Sequence, residues 1–332
     1  MRPRSIISLI IAAVFILGGI ITCAVASAKA NADGVMLFPE ADDNGNLVYR
    51  MELDGTSKIT VDAADADITV VGGAESSMIE VVNFNANYYK LAKSNGSVTF
   101  AQVDDFMSMF KFWDNGFSFK GMRYILRFGD DAPGGKKVII SLSDEDDIRL
   151  VNLSTDTGEI TLENCGFAAD YTVKAENGKA TLKNITNSSS ISLFGNSAEI
   201  TAEDCSTEKL SINCNSVNTS LSGFTAKEST VKTTDGSITV NGCSMDSMNL
   251  TTVSGGISLT SCKYAEASLV TESGKVSLDF ESTDNLAANV TTKNGKISVN
   301  GEFKETFAVN SAVPDKKISI TTSGGDVYIT HP

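Results

Sequence analysis

The chain has 332 residues, of which 42% are hydrophobic, and it carries a formal net charge of −14 at pH 7. Its single histidine, His331, leaves almost no ligand set for zinc and nearly excludes a Ser-His-Asp catalytic triad. The acidic charge argues against non-specific binding to nucleic acid or to anionic lipid headgroups. No motif in the sequence predicts a cofactor or a metal site.

Residues 1–28 combine a basic start with a long apolar run. Arg2 and Arg4 precede an uncharged stretch that is long enough to span a bilayer, which takes about 20 residues. The two arginines predict a cytoplasmic N-terminus, and therefore a single-pass membrane protein whose remainder is extracytoplasmic. The triplet Ala26-Ser27-Ala28 resembles a signal-peptidase site, so cleavage and secretion stay open. Lipid modification at Cys23 is a third option, which Thr22 disfavours.

Residues 29–50 are polar, and they predict a linker or a first edge strand. Residues 51–150 are interpreted as irregular early coils of the repeat that fills the rest of the chain. Lys58–Val61 and Asp67–Val70 support this interpretation, because both alternate apolar and polar side chains as a half-buried strand does.

An insertion at residues 102–135 interrupts these early coils and holds a concentration of aromatic residues that are scarce elsewhere. One interpretation is a packed cap over an open end of the solenoid. The other is a patch that binds a partner or faces the membrane, because aromatic, Met and Arg side chains favour interfaces. The candidate patch consists of Phe110, Phe112, Trp113, Phe117 and Phe119.

A turn recurs nine times in residues 151–332, and its spacing is 19 to 21 residues except for a last step of 30. The turn positions are Gly158, Gly178, Ala198, Val217, Gly236, Gly255, Gly274, Gly295 and Gly325. A fixed period near 20 residues predicts a solenoid, in which each repeat buries its apolar face against its neighbours. Residues 151–332 are therefore expected to form the regular part of the stack.

The repeats can be aligned by taking the turn residue of each as position zero and numbering the residues before and after it. Each aligned position is then a column of equivalent residues. Positions −5, +2 and +4 are almost always apolar, whereas the residues between +2 and +4 are mostly Thr or Ser. This alternation predicts strands with one buried face. Glycine at the turn is expected to provide positive φ. The predicted fold is all-β: a single-stranded, parallel β-solenoid (β-helix-like) with about 19–20 residues per coil, preceded by one N-terminal hydrophobic helix.

The cysteines follow the same register. Four of them stand seven residues after the turn, in a column that holds Ile185 or Phe224 in other coils: Cys165, Cys205, Cys243 and Cys262. The column is therefore interior, and buried free thiols are one interpretation. A disulfide between Cys243 and Cys262 is another; the stacking distance permits it, but parallel Cβ directions disfavour it. A metal site is the third, and it lacks a Cys-x-x-Cys pair.

The order of these features resembles a known group. A basic N-terminus and one hydrophobic span come first, then early units such as ITVDAADADITVVGG, an aromatic insertion, and repeated T-x-(D/N/S)-G-x-I-(S/T)-(V/L) coils. This pattern resembles the bacterial putative-adhesin β-solenoid family over roughly residues 51–332. The family consists of envelope proteins of largely unknown function, and the resemblance provides no catalytic residues.

Three functions compete. The first is a non-enzymatic, adhesin-like protein that presents a rigid solenoid to a protein or glycan at the cell surface, with membrane contact through the N-terminal span and no nucleic acid. The second is an envelope-stress sensor or regulator that acts through a membrane-protein partner, since some relatives resemble such regulators. The third is a carbohydrate-active β-helix enzyme, for which the sequence shows no recognisable pair of carboxylates in a cleft.

Overall fold

The computed structural model describes residues 40–84, 89–102, 135–280, 285–311 and 314–331. In these ranges the chain forms strands and no helix, and so contains no helical segment able to cross a membrane. The predicted N-terminal helix lies outside the described residues, as does nearly all of the aromatic insertion. The strands form two sheets, here named sheet A and sheet B.

Sheet A has 15 strands. Their bounds in chain order are β1 Glu40–Ala41, β2 Leu47–Glu52, β4 Asp67–Gly72, β5 Met78–Val82, β8 Lys137–Leu142, β10 Glu159–Glu163, β12 Lys179–Lys183, β14 Glu199–Glu203, β16 Asn218–Ser222, β18 Ile238–Asn241, β20 Ile257–Thr260, β22 Val276–Asp279, β24 Ile297–Val299, β25 Glu302–Lys304 and β28 Val327–Thr330. At about 4.8 Å between strands, sheet A extends over roughly 67 Å.

Sheet B has 13 strands. Their bounds are β3 Lys58–Asp62, β6 Tyr89–Ser94, β7 Ser97–Gln102, β9 Leu150–Thr155, β11 Asp170–Ala175, β13 Ser188–Gly195, β15 Ser206–Cys214, β17 Thr225–Lys232, β19 Ser244–Thr252, β21 Lys263–Thr271, β23 Leu286–Thr292, β26 Phe307–Asn310 and β27 Lys316–Thr322. β1 and the start of β2 fall in the segment for which the sequence predicted a linker or a first edge strand.

Each regular coil contributes one strand to each sheet. The chain runs along β9 in sheet B, turns, runs along β10 in sheet A, and returns to sheet B at β11. From β9 to β22 the coils stack in chain order with parallel pairing, so that Leu153 lies beside Val173 and Ile160 beside Ala180. The prediction of an all-β chain built from stacked parallel coils is confirmed for the described residues.

Both ends of the stack depart from chain order. At one end, sheet A runs β1-β2-β5-β8-β4-β10 and sheet B runs β6-β7-β3-β9. At the other end, sheet A runs β22-β28-β24-β25 and sheet B runs β21-β27-β23-β26. The coil of β27 and β28 therefore lies between two coils that precede it in sequence. Each end finishes in antiparallel strands, which pair at β1–β2 and β6–β7 and at β24–β25 and β23–β26.

The buried apolar side chains of successive coils form one continuous core between the two sheets. Every residue that the sequence analysis placed at positions −5, +2 and +4 is buried, including the Thr219 side chain at one +2 position. Near the first end, the rings of Phe84, Tyr89 and Phe100 pack together with centroids 4.7 to 5.3 Å apart. The predicted buried faces of the repeats are confirmed.

Glycine occupies the turn position for a different reason from the one predicted. None of them has a positive φ, so the expectation of a left-handed turn at position zero was wrong. A Cβ added to Gly255 would lie 1.8 Å from the carbonyl oxygen of Gly236, and one added to Gly274 would lie 1.7 Å from that of Gly255. At these glycines, successive turns stack backbone on backbone, and an added side chain would collide with the neighbouring coil. The coils of Ala198 and Val217 are exceptions that hold a side chain at this position.

The buried threonine column at position −3 holds these turns together. Thr252 accepts a hydrogen bond from the Gly255 N–H at 3.0 Å, and its hydroxyl lies 3.2 Å from the Gly236 carbonyl of the preceding coil. The Gly274 N–H bonds Thr271 at the same 3.0 Å distance in the next coil. Each such hydroxyl therefore closes its own turn and connects it to the neighbouring coil.

Two buried threonines should respond in opposite ways to the same substitution. Thr252→Val removes both hydrogen bonds of a buried hydroxyl, and we expect it to lower the free energy of unfolding by about 1–3 kcal/mol. Thr219→Val removes a buried hydroxyl that has no hydrogen-bond partner, and we expect a stability gain of about 1 kcal/mol. Denaturant unfolding of both variants measures the change in the free energy of unfolding and therefore its sign in each case. A loss of stability in Thr219→Val would contradict the assignment.

In six successive coils, from that of Gly158 to that of Gly255, the second corner carries the positive φ that the first corner lacks. It lies six residues after the turn and is occupied by residue types that tolerate this conformation. Its members are Asn164, Asn184, Asp204, Gly223, Gly242 and Ser261, with φ between 50° and 61°. The cysteine column follows directly, and Cys165, Cys205 and Cys243 are buried there whereas Cys262 is half-buried. The prediction of an interior cysteine column is confirmed for the three buried thiols.

Candidate interaction surface

The aromatic patch predicted from the sequence lies outside the described residues. Phe110, Phe112, Trp113, Phe117 and Phe119 all fall within the insertion, so their arrangement stays a prediction. The candidate surface is built instead from side chains that point outward from sheet A.

One row of hydroxyl-bearing side chains crosses sheet A. The row occupies position +3 of each coil, between the two buried columns, and strand pairing places its members side by side. We name it the hydroxyl row, and its members are Thr69, Thr161, Thr181, Thr201, Ser220, Thr239, Ser258 and Ser277. At the strand spacing of about 4.8 Å, this row presents a hydroxyl group at a regular interval along the stack.

The hydroxyl row ends in two exposed aromatic rings. Ser277 pairs with Tyr328, Tyr328 with Ser298, and Ser298 with Phe303, so the rings lie two strand spacings apart, about 10 Å. Tyr328 is 38% exposed and Phe303 is 69% exposed, whereas Ser298 between them is buried. We name Tyr328 and Phe303 the aromatic pair.

Two lysines and one aspartate contact the aromatic rings at this end of the row. The Lys275 ammonium lies 4.2 Å from the centre of the Tyr328 ring, within the range of a cation–π contact. Lys296 lies 5.4 Å from the centre of the Phe303 ring. Asp326, between them, accepts a hydrogen bond from the Lys296 N–H at 2.8 Å and contacts the Tyr328 hydroxyl at 3.5 Å. The rings are thus held in place by charged neighbours while remaining open to solvent.

Two ion pairs lie beside the hydroxyl row. Lys179 lies 3.6 Å from Glu159, and Lys183 lies 3.8 Å from Glu203, each pair joining neighbouring strands of sheet A. These side chains are about half exposed, so each pair contributes little to stability. Acidic side chains outnumber basic ones beside the row, because it is also flanked by Glu163, Glu199 and Asp279.

Sheet B carries a comparable polar row and a shallow groove near the same end. Its outward residues include Thr172, Ser192, Ser211 and Thr230 on successive strands. Where β21, β27 and β23 meet, a groove of about 350 Å³ is lined by small and polar residues: Glu266, Ser268, Asn289, Asn310, Lys317 and Ser319. The groove includes no aromatic residue, whereas Phe194 on β13, two residues after Ser192, is 38% exposed on the outer face of sheet B.

The described part of the chain contains no cluster of three or more His, Cys, Asp or Glu side chains with the geometry of a metal site.

Sequence reasoning overlooked Tyr328 and Phe303 altogether. A signal for Tyr328 was present, because it occupies the +3 column that holds Thr or Ser in the other regular coils. Phe303 lies in a short strand outside the repeat register, and no column pattern could have identified it.

A comparison with protein families gives a match to Toastrack DUF4097 over residues 56–330. The chain belongs to the Toastrack DUF4097 family. The stacked strands of sheets A and B are thus the Toastrack domain, and it spans nearly all of the described chain. The family resemblance inferred from the sequence is confirmed. A comparison with curated proteins gives no match.

Solved structures similar to this Toastrack chain have low sequence identity to it. A putative adhesin from Parabacteroides distasonis shares 12% identity, with 85% of this chain and 96% of that chain covered and a TM-score of 0.49. A putative adhesin from Parabacteroides merdae shares 13%, with 86% and 95% covered and a TM-score of 0.45. A putative lipid binding protein from Parabacteroides distasonis shares 13%, with 88% and 98% covered and a TM-score of 0.42.

Proposed function

We propose that this Toastrack protein is a non-enzymatic interaction protein of the cell surface that binds an extended glycan along the outer face of sheet A. The observation that carries this proposal is the hydroxyl row ending in the aromatic pair. The proposal includes residues 1–28 as the membrane anchor, with the Toastrack domain on the extracytoplasmic side.

The chemistry of the surface supports a glycan as the partner. Sugars present hydroxyl groups that both donate and accept hydrogen bonds, and Thr and Ser hydroxyls do the same. Sugars also have an apolar C–H face, which packs favourably on an exposed aromatic ring. The two rings lie about 10 Å apart, so a chain lying along the row contacts one ring and then the other. The excess of acidic side chains beside the row disfavours an anionic polymer.

The charge distribution along the sequence supports the predicted location. The chain after Lys29 holds 41 acidic and 24 basic residues, a net charge of −17, whereas the two arginines of the N-terminal segment precede the apolar run. A strongly acidic domain is repelled by anionic headgroups, so it is expected to project away from the membrane surface. A rod of roughly 67 Å in that position carries the hydroxyl row toward partners outside the cell.

A binding experiment with surface variants tests the proposal. The full-length protein is screened against neutral and charged polysaccharides, and the affinity for the best polymer is measured. Replacing Tyr328 and Phe303 together by Ser is expected to weaken binding at least about tenfold, because exposed aromatic anchors dominate interface energy. Thr239→Lys, in the middle of the hydroxyl row, is expected to weaken it as well.

The matched control is Thr230→Lys, which places the same lysine on the outward face of sheet B. It should leave binding unchanged if sheet A is the binding face. Loss of binding in Thr230→Lys but not in Thr239→Lys would assign the function to sheet B instead. Capture of a membrane protein rather than a glycan, by cross-linking in intact cells, would replace this proposal with the sensor or regulator function.

A further inference from the structure

Cys243 and Cys262 differ from the other thiols because they occupy neighbouring coils in the same column. The Gly242 N–H bonds the Thr260 carbonyl at 3.0 Å, and the Lys263 N–H bonds the Cys243 carbonyl at 2.8 Å. These bonds lie on either side of the two cysteines and hold them in register, one strand spacing apart. A spacing of about 4.8 Å lies within the range of Cα distances that a disulfide spans.

The remaining described cysteines lack such a partner. Cys165 and Cys205 share the column, but the coil of Ile185 lies between them, as the bonds from Thr186 to Cys165 and from Ser206 to Ile185 show. Their separation is therefore about two strand spacings, roughly 10 Å, which is too far for a disulfide. Cys214 lies at the other corner of its coil, in the threonine column.

The two neighbouring thiols also differ from each other. Cys262 is half-buried and so reachable from solvent, whereas Cys243 is 2% exposed. A hydrogen bond from the neighbouring Cys243 thiol lowers the pKa of Cys262. The same contact, together with burial, raises the pKa of Cys243. Burial raises the pKa of Cys205 to about 11 and that of Cys165 to about 12.

We propose that Cys262 and Cys243 form a thiol–disulfide exchange site that reacts with a small-molecule disulfide and closes a bond between two coils. The Cys262 thiolate attacks one sulfur of the disulfide RSSR, its S–S bond breaks, and one RS⁻ leaves with the bonding electron pair. The Cys243 thiol then loses its proton to solvent and attacks Cys262 Sγ, which expels the second RS⁻. Two cysteine thiols are oxidised, and one disulfide is reduced to two thiols.

The order of attack follows from the structure. The reagent reaches Cys262 first, because that thiol is the more accessible of the two and has the lower pKa. Cys243 lies one strand spacing away in the neighbouring coil, so the second step needs only a local shift that turns the two Cβ directions toward each other. The product links residues whose backbone positions are already fixed by strand pairing.

Peptide mapping of the full-length protein tests the proposal. The reduced protein is incubated with oxidised glutathione, remaining thiols are alkylated, and the protein is digested without reduction. Cys243 and Cys262 lie in one tryptic peptide, residues 233–263, and cleavage before Asp246 separates them. We expect this peptide to lose two hydrogen atoms and to remain as two linked pieces after that cleavage. Two molecules of reduced glutathione should appear for each bond formed.

Variants separate the two steps. Cys243→Ala should stop the reaction at a glutathione adduct on Cys262, whereas Cys262→Ala should abolish it. Cys205→Ala, a matched change in the same column, should leave the bond unaffected. At pH 7, iodoacetamide should label Cys262 at least about tenfold faster than Cys205.

A stable glutathione adduct on Cys262 in the parent protein would overturn the proposal, and so would equal labelling of Cys262 and Cys205. The peptide map and the labelling rates are measured on the unsubstituted protein. They therefore test the proposal even if an alanine variant fails to fold.

Discussion

Ile257→Asp is expected to unfold the central coils. Ile257 is 1% exposed and lies between Ile238 and Val276 in the buried +2 column of sheet A. An aspartate there would place a charge among aliphatic side chains with no partner, which costs well over about 4 kcal/mol of stability. Because each coil is stabilised only by its neighbours, a defect in the middle of the stack interrupts the core on both sides. Thermal unfolding followed by circular dichroism measures the loss.

The control for this change is the next residue. Ser258→Asp introduces the same charge one position away, on the outward face, where Ser258 lies between Thr239 and Ser277. We expect it to alter stability by less than about 1 kcal/mol, as surface substitutions usually do. Similar melting temperatures for the two variants would show that the assignment of inward and outward faces is wrong.

Gly255→Ala is expected to be nearly as damaging, although it adds a single methyl group. The new Cβ would lie 1.8 Å from the Gly236 carbonyl oxygen and 2.4 Å from its carbon. Backbone atoms on both sides are fixed by strand pairing, so relief requires the two coils to separate locally. We expect a cost of about 3 kcal/mol or more, together with weaker protection of the Gly255 and Gly274 amides in hydrogen exchange.

Gly242→Ala provides the comparison that identifies the cause. Gly242 has a φ of +61°, and no atom lies within 4 Å of the position of an added Cβ. Its substitution should cost only the conformational penalty of about 1–2 kcal/mol for a left-handed residue with a side chain. If Gly242→Ala were the more destabilising of the two, conformation rather than close stacking would govern the glycines of this fold.

The period of the repeat made the coils predictable, because a buried face and an exposed face alternate along each strand. Residues such as Leu153, Ile160 and Leu162 could be placed in the core from their column alone, and the structure buries all three. The glycine column was predicted correctly in position but not in cause. Sequence spacing identifies Gly255 as the turn residue, yet only the stacked backbone shows that the Gly236 carbonyl excludes a side chain there.

The stacking order at the far end could not be predicted from the sequence. Val276, Ile297 and Val327 belong to one column and present similar apolar surfaces, so the coil of Val276 finds an equally suitable neighbour in either of the other two. The structure pairs Val327 with both Val276 and Ile297. The last spacing of 30 residues signalled an irregularity but did not identify it. For the candidate surface, Tyr328 could have been predicted from its column, whereas Phe303 could not.

The inserted coil bears on how the protein is made. Residues 316–330 leave the ribosome after residues 286–299, yet they lie between those residues and the rest of the stack. The coil of β23 and β24 therefore emerges before β27 and β28, which are its neighbours in the finished stack. Until they are synthesised, its apolar edge is uncovered. This end of the stack therefore cannot be completed one coil at a time in chain order. Its exposed strands are open to capture by a chaperone or by another chain until residues 316–330 emerge.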